Sequence, residues 1–139
     1  MITDIRLQNF RSYKDASFEF DKGVNIIVGP NAAGKTNLLE SILVLSNGKS
    51  YRAKDTDLVY FNKPWSRIDS DFANGSHRTL KIITETTSSK TYEIDGKTYK
   101  RLSLDKTIAT VLFEPNQLQI LSSSPEKRRD YLEDRKSVV

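Results

Sequence analysis

The sequence predicts an α/β fold organised around one strand, one glycine-rich loop and one helix. Val24–Val28 is a nearly continuous apolar run, which is typical of a strand buried on both faces. A glycine-rich loop follows it directly, and apolar residues then recur with helical spacing from Leu38 to Leu45. Short β-prone segments separated by turn residues come after the helix. This order predicts a sheet that carries a glycine loop and a helix, followed by an antiparallel meander.

Two further strands are predicted ahead of this unit. Ile2–Leu7 and Ala16–Phe20 alternate apolar and polar residues, as half-buried strands do. The loop Asn9–Tyr13 joins them, and Asp21–Gly23 reads as a hairpin-type turn. The pair Asn47-Gly48 predicts the end of the helix.

The meander is predicted from hairpin signals at Asn74-Gly75 and Asp95-Gly96. Its predicted strands are Ser66–Phe72, Arg78–Thr86, Thr91–Ile94 and Lys97–Tyr99. Beyond it, Ile108–Phe113 predicts another buried strand, and Ser123–Glu126 predicts a capped helix start.

The glycine-rich loop, Gly29–Thr36, has the Walker A spacing of a phosphate-binding loop. Its glycines allow the backbone N–H groups to point at phosphate oxygens, and the positive end of the following helix faces the same place. Lys35 is a compact charge suited to the β- and γ-phosphates, and Thr36 offers a hydroxyl to Mg²⁺. The loop therefore predicts binding of ATP with Mg²⁺.

Composition limits the classes of function. The chain has no cysteine, which excludes disulfide scaffolds, thiolate zinc sites and cysteine nucleophiles and fits a cytoplasmic protein. No apolar stretch approaches the roughly 20 residues of a membrane span. The net charge of +4 is compatible with a polyanionic partner such as DNA, and equally with a merely basic soluble domain.

Several blocks resemble the RecF family, which is akin to the SMC and DNA-repair ATPases of the ABC class. The run Gly29–Ile42 (GPNAAGKTNLLESI) is similar to the family's GxNxxGKTNLLEAI segment. The other similar blocks are Leu7–Tyr13, Gly48–Arg52 with Asp57–Val59, Phe113–Leu118 and Ser124–Leu132. One departure is Ala32, which stands where many members have glycine; alanine is tolerated there if the residue does not need a positive φ.

The resemblance implies a P-loop NTPase head of the ABC/SMC-like type, of which residues 1–133 are an incomplete N-terminal, ATP-binding lobe with a mixed sheet and an inserted meander. It implies an ATP-dependent homodimer that binds single- and double-stranded DNA at gaps or junctions and helps recombinase loading with RecO and RecR. Arg11 matches the family's arginine beside the nucleotide, and a solvated loop arginine is the alternative. The candidate binding residues are Gly29, Pro30, Asn31, Ala32, Ala33, Gly34, Lys35, Thr36 (also the Mg²⁺ ligand), Asn37 and Arg11.

The sequence contains neither an acidic Walker B strand nor a Ser-Gly-Gly-type signature, so it offers no catalytic residue, and we expect negligible hydrolysis by this chain alone. Residues 134–139 match the translation of a common sequencing-adapter string, so we expect them to be a non-native tail. The basic run Lys127–Arg129 predicts either DNA phosphate contacts or a solvated, ion-paired helix face.

Three alternatives remain open. Another SMC-like or ABC-class head would have long heptad arms after its first lobe. A small-molecule P-loop kinase would have an acceptor pocket and lid arginines where this chain has β-hairpins. A nucleotide-binding scaffold without turnover would lack DNA-stimulated hydrolysis.

Overall fold

The computed structural model describes residues 1–114 and residue 129. The chain divides into two compact units, Met1–Thr107 and Ile108–Val139, and the elements that follow belong to the first unit. The helices are α1 Lys35–Asn47 and α2 Asp55–Leu58, with a short 3-10 helix at Leu104–Lys106. The strands are β1 Ile2–Phe10, β2 Tyr13–Glu19, β3 Trp65–Phe72, β4 His77–Ile83, β5 Ser89–Ile94 and β6 Lys97–Tyr99.

The strands form one six-stranded sheet in the order β2-β1-β3-β4-β5-β6, and every pairing is antiparallel. A row of directly opposed residues crosses its centre, where Leu7 faces Ile68, Ile68 faces Leu80, and Leu80 faces Tyr92. These four side chains are at most 3% exposed and belong to the core. Successive side chains of a strand point to opposite faces of the sheet. The face that carries these four residues therefore packs into the core, and the alternate residues lie on the opposite face.

Helix α1 belongs to the same core, to which it contributes Leu38, Val44 and Leu45. Gly48 ends the helix in the left-handed region at φ 93°, with its N–H bonded to the carbonyl of Val44 at 2.8 Å. This confirms the helix end predicted from Asn47-Gly48, since glycine adopts that conformation without a Cβ clash.

Side chains of the sheet hold the C-terminal end of α1. Arg78 Nη1 donates to the carbonyl of Leu45 at 3.2 Å, while Lys90 Nζ and Tyr92 Oη donate to the carbonyl of Gly48 at 2.5 Å and 3.1 Å. Burial raises the pKa of Tyr92 to about 12, so its hydroxyl stays protonated as a donor. Cations beside the negative end of the helix dipole are stabilising, and the contacts tie α1 to β4 and β5.

The meander is confirmed, with strand bounds that differ from the predicted ones by a few residues. Asp95 and Gly96 both have positive φ, 50° and 83°, as a two-residue type I′ hairpin requires. At the other hairpin only Gly75 is left-handed, at φ 84°, and Phe72 bonds Ser76 across a three-residue loop.

Two predicted buried strands are wrong. Val24–Val28 forms no strand, and Val24, Ile26 and Val28 are between 82% and 88% exposed. Ile108–Phe113 forms none either, with Phe113 62% exposed. A strand needs a neighbour for its backbone hydrogen bonds, and no strand among residues 1–114 pairs with either segment.

The expected helix start at Ser123, the tail 134–139 and most of the basic run 127–129 lie outside the described residues; Arg129 alone is described, as an exposed helical residue. Within the described part of the chain, no helix combines the length and the apolar character that crossing a membrane requires.

The exposure of Ile26 leads to a test on stability. Ile26→Ala should change the free energy of unfolding by no more than about 0.5 kcal/mol, because a solvated side chain loses little when it is truncated. The matched control is Ile5→Ala in β1, where Ile5 is 1% exposed, and it should cost about 2–5 kcal/mol. Urea titration measures both, and a cost at Ile26 equal to that at Ile5 would show that Val24–Val28 is buried.

Candidate nucleotide-binding site

The predicted phosphate-binding loop leads directly into α1, whose N-cap is Gly34 at φ 99°. A Cβ at Gly34 would lie 2.6 Å from Tyr13 Oη and 3.1 Å from Ser12 Oγ. Only glycine satisfies both the positive φ and the close approach of these two side chains. The second glycine of the motif is therefore required by the turn between β1 and β2 that lies against it.

That turn is bonded to the start of α1. Tyr13 Oη donates to the carbonyl of Gly34 at 2.8 Å, and Asn37 Nδ2 donates to Ser12 Oγ at 2.9 Å. Arg11 lies in the same turn with φ 50°. The turn and the first turn of the helix thus form one side of the site together, although more than 20 residues separate Tyr13 from Gly34 in the chain.

The charged and hydroxyl groups of the motif lie at the start of α1. Lys35 Nζ donates to the carbonyl of Pro30 at 2.9 Å and also to that of Gly29, so the ammonium group lies against the loop backbone. Thr36 is exposed in the first turn of α1, and its hydroxyl makes no hydrogen bond within the described residues. An exposed, unpaired hydroxyl beside the phosphate loop fits a Mg²⁺ ligand, with phosphate and water oxygens completing the metal's coordination.

Side chains that commonly bind metal ions do not cluster in the described part of the chain. In residues 1–114 and at residue 129, no group of three or more His, Cys, Asp or Glu side chains could hold a metal ion. Thr36 therefore remains a proposed Mg²⁺ ligand on the motif and its exposure alone.

Ala32 adopts a left-handed conformation at φ 65°. From the sequence, alanine is expected to be tolerated at this position only if its φ is not positive. The φ of Ala32 is positive, so this condition is not met. For a residue with a Cβ the left-handed region costs about 1–2 kcal/mol. The phosphate loop therefore carries local backbone strain at Ala32, where glycine would carry little.

A buried carboxylate lies behind the loop. Glu40 in α1 is 0% exposed and accepts hydrogen bonds from two arginines that come from different parts of the chain. Arg11 donates from Nε at 2.7 Å and from Nη2 at 3.0 Å. Arg52 donates from Nε at 3.0 Å and from Nη2 at 3.2 Å, and Ser50 Oγ donates at 2.6 Å.

These donors decide the ionisation of Glu40. Burial by itself would raise the pKa of this carboxyl, but the hydrogen bonds from Arg11, Arg52 and Ser50 outweigh burial and lower the pKa to about 2. Glu40 is therefore a carboxylate throughout the neutral range. With one anion between two cations, the cluster carries a net positive charge.

The two arginines line an open cleft of about 710 Å³ beside the first turn of α1. Arg52 Nη2 also donates to Asn37 Oδ1 at 2.8 Å, so Asn37 is held by Ser12 on one side and Arg52 on the other. The remaining wall comes mainly from the segment that follows α2, including Tyr60, Phe61 and Lys63. The cleft is thus cationic where it adjoins Asn37 in the first turn of α1.

The predicted site residues Gly29–Asn37 and Arg11 meet at the N-terminal end of α1, Arg11 through its ion pair with Glu40. The sequence assigned no role to Glu40, Ser50 or Arg52. One signal was available, namely a glutamate among the apolar positions of α1, but its arginine partners lie 29 residues before it and 12 residues after it. Only the fold brings them together.

The strain at Ala32 leads to a prediction with a matched control. Ala32→Gly should raise the free energy of unfolding by about 0.5–1 kcal/mol, because relief of the left-handed strain exceeds the added entropy of the unfolded chain. Ala33, its neighbour, has no positive φ, so Ala33→Gly should lower stability by about 0.4–1 kcal/mol. Thermal or urea unfolding measures both, and a loss at both positions would contradict the strain.

The low pKa of Glu40 makes stability depend on pH. A carboxyl whose pKa falls from 4.5 to about 2 on folding stabilises the folded state above pH 4.5, and that contribution is lost as the pH falls towards 2. The stability difference between the wild type and Glu40→Gln should therefore shrink as the pH falls from 4.5 to about 2. Unfolding curves across this range measure it. Glu85→Gln removes an exposed carboxylate without an ion pair in the described residues, so it should show no comparable trend.

The chain is similar to known proteins over most of its length. The family model described as AAA domain matches residues 4–137. The DNA replication and repair protein RecF of Desulforamulus reducens is 39% identical over 136 residues, and that of Heliobacterium modesticaldum is 37% identical over 135 residues. Each match covers 95% of this chain and 36% of the relative, so the chain spans little more than a third of the length of these curated relatives.

Solved structures show the same fold. The recombination mediator protein RecF-ATP in the RecFOR pathway matches with a TM-score of 0.73 at 32% identity, covering 100% of this chain and 39% of that one. A structure from work on ATP-driven dimerization and DNA stimulated activation of SMC ATPases matches with a TM-score of 0.76 at 22% identity, covering 96% of this chain and 98% of that one. The expected P-loop head of the RecF and SMC type is confirmed, and the chain belongs to the AAA domain family.

Proposed function

We propose that this chain binds ATP with Mg²⁺ at Gly29–Asn37 and Arg11 as part of a RecF-like DNA replication and repair ATPase. The observation that carries the proposal is that the phosphate loop leads into the N-terminal end of α1, where a cleft lined by Arg11 and Arg52 adjoins Asn37 of the first turn. Relatives named for DNA replication and repair, and a solved relative named RecF-ATP, support the same ligand and process.

The residues have distinct roles in this proposal. The loop N–H groups and the positive end of α1 hold the phosphates, since both concentrate positive potential at the helix start. Lys35 exchanges its bonds to loop carbonyls for bonds to the β- and γ-phosphate oxygens. The Thr36 hydroxyl binds Mg²⁺, which offsets the charge on those phosphates. Arg11 supplies a further cation beside the nucleotide.

The wider function that we propose follows the RecF resemblance. Nucleotide acts as a switch that favours a homodimer on gapped or junction DNA. It shifts the equilibrium between monomer and dimer because it binds the dimer more tightly, and the shift is as large as the difference between the two affinities. The dimer helps to load recombinase with RecO- and RecR-like partners in the cytoplasm. Slow, DNA-stimulated ATP hydrolysis belongs to the parent protein, and this chain supplies the phosphate loop.

Removing the Lys35 charge tests nucleotide binding. Lys35→Ala should weaken Mg·ATP binding by about ten- to a hundredfold, which is the loss expected for a hydrogen-bonded charge pair. Lys81→Ala removes an exposed lysine from β4 and should leave the affinity unchanged. Isothermal titration calorimetry measures both. Unchanged binding by Lys35→Ala would overturn the phosphate-loop assignment.

The same two variants separate nucleotide binding from the wider function. In a full-length protein that carries this lobe, sedimentation with gapped DNA should show an ATP-dependent dimer for the wild type and Lys81→Ala, and none for Lys35→Ala. If the wild type binds ATP but stays monomeric with DNA, the site functions without the proposed switch.

A further inference from the structure

We propose that Glu40 is a positioning residue of the nucleotide site, which sets Arg11 and, through Arg52, Asn37 in the geometry that binds the nucleotide. The inference deepens the ATP-binding function proposed above and rests on it. It assigns to a buried carboxylate a role in ligand affinity that is separate from its contribution to stability.

Glu40 is the meeting point of three segments that form the site. Arg11 comes from the turn between β1 and β2, Arg52 from the loop after α1, and Glu40 from α1 itself. Both carboxylate oxygens are used, since each accepts one hydrogen bond from Arg11 and one from Arg52 at 3.2 Å or less. Ser50 Oγ adds a bond to Oε2 at 2.6 Å and holds the loop that carries Arg52.

The negative charge of the cluster is buried, and its positive charges face the cleft. The Glu40 side chain is 0% exposed, whereas those of Arg11 and Arg52 are 23% and 36% exposed and line the cleft. Arg11 uses Nε and Nη2 on Glu40, and its Nη1 makes no hydrogen bond within the described residues. A guanidinium fixed by two bonds on one edge keeps donors on the other edge for an anion.

Asn37 extends this control to the first turn of α1. Its Oδ1 accepts from Arg52 at 2.8 Å and its Nδ2 donates to Ser12 at 2.9 Å, so the Asn37 amide is held from both sides. Asn37 is adjacent to Thr36, the proposed Mg²⁺ ligand. Loss of the Glu40 charge would weaken the two bonds that hold Arg52 on Glu40, and with them the support of one of the two contacts that hold Asn37.

Fixing long side chains before the ligand arrives improves affinity, because the ligand then does not have to order them. Arginine has more rotamer freedom to lose than most residues. A role in positioning thus predicts weaker ATP binding per folded molecule after loss of Glu40, whereas a purely structural role predicts lower stability with unchanged binding.

The experiment is a double-mutant cycle on Mg·ATP affinity, measured by calorimetry on protein shown to be folded by circular dichroism. Glu40→Gln should weaken binding about tenfold, and Arg11→Ala should weaken it as well. In the Arg11→Ala background, Glu40→Gln should add less than about threefold, because much of its effect acts through Arg11. Equal affinity of Glu40→Gln and the wild type, or fully additive losses, would overturn the inference.

Asp69→Asn is the matched control, since Asp69 in β3 is another partly buried carboxylate that an arginine, Arg67, holds with two bonds. It should lower the urea midpoint and leave the ATP affinity unchanged; an affinity loss equal to that of Glu40→Gln would identify a general effect of destabilisation and overturn the inference.

Should Glu40→Gln not fold, Glu40→Asp keeps the charge on a shorter side chain that cannot hold both arginines, and several-fold weaker binding is expected. Unchanged binding by Glu40→Asp would then count against positioning. A wild type that does not bind Mg·ATP overturns the proposed function itself, which separates the two failures.

Discussion

The buried carboxylate of Glu40 is the interaction on which the arrangement of the site depends. An isolated charge in the interior would be strongly unfavourable, and two guanidinium groups and a serine hydroxyl compensate it here. The turn between β1 and β2 and the loop after α1 are coupled, because an arginine from each of them bonds the same carboxylate. A shift of either segment would leave Glu40 with fewer donors. The low pKa of Glu40 is the electrostatic result of that packing.

The sheet holds the opposite end of the same helix. Arg78, Lys90 and Tyr92 bond carbonyls at the C-terminal end of α1. All three extend from β4 and β5, which the core row from Leu7 to Tyr92 fixes in the sheet. Helix α1 is thus anchored at one end by cations from the meander and at the other by a turn that covers the phosphate loop. The meander, which has no residue in the motif, contributes in this way to the position of the loop.

Exposure of apolar residues separates what local patterns determine from what they leave open. Val24–Val28 and Ile5–Leu7 are both β-prone, yet Ile5 is 1% exposed and Ile26 is 82% exposed. The difference is a neighbouring strand. β1 has β2 and β3 beside it, whereas residues 24–28 have no partner among residues 1–114. A pattern of side chains shows that a segment can be buried, but not which other segment buries it.

By itself the sequence determined the local features of this protein, namely the phosphate loop, the helix after it, its end at Gly48, and the hairpins at Asn74-Gly75 and Asp95-Gly96. These features depend on the φ preferences of single residues and on short hydrophobic periodicities. Both are properties of residues close together in the chain. Only the tertiary structure decided the strain at Ala32, the burial of Glu40, and the placement of Arg11 and Arg52 on either side of it. Those properties depend on contacts between segments that are distant in the chain, because desolvation and hydrogen-bond partners exist only once the segments have packed.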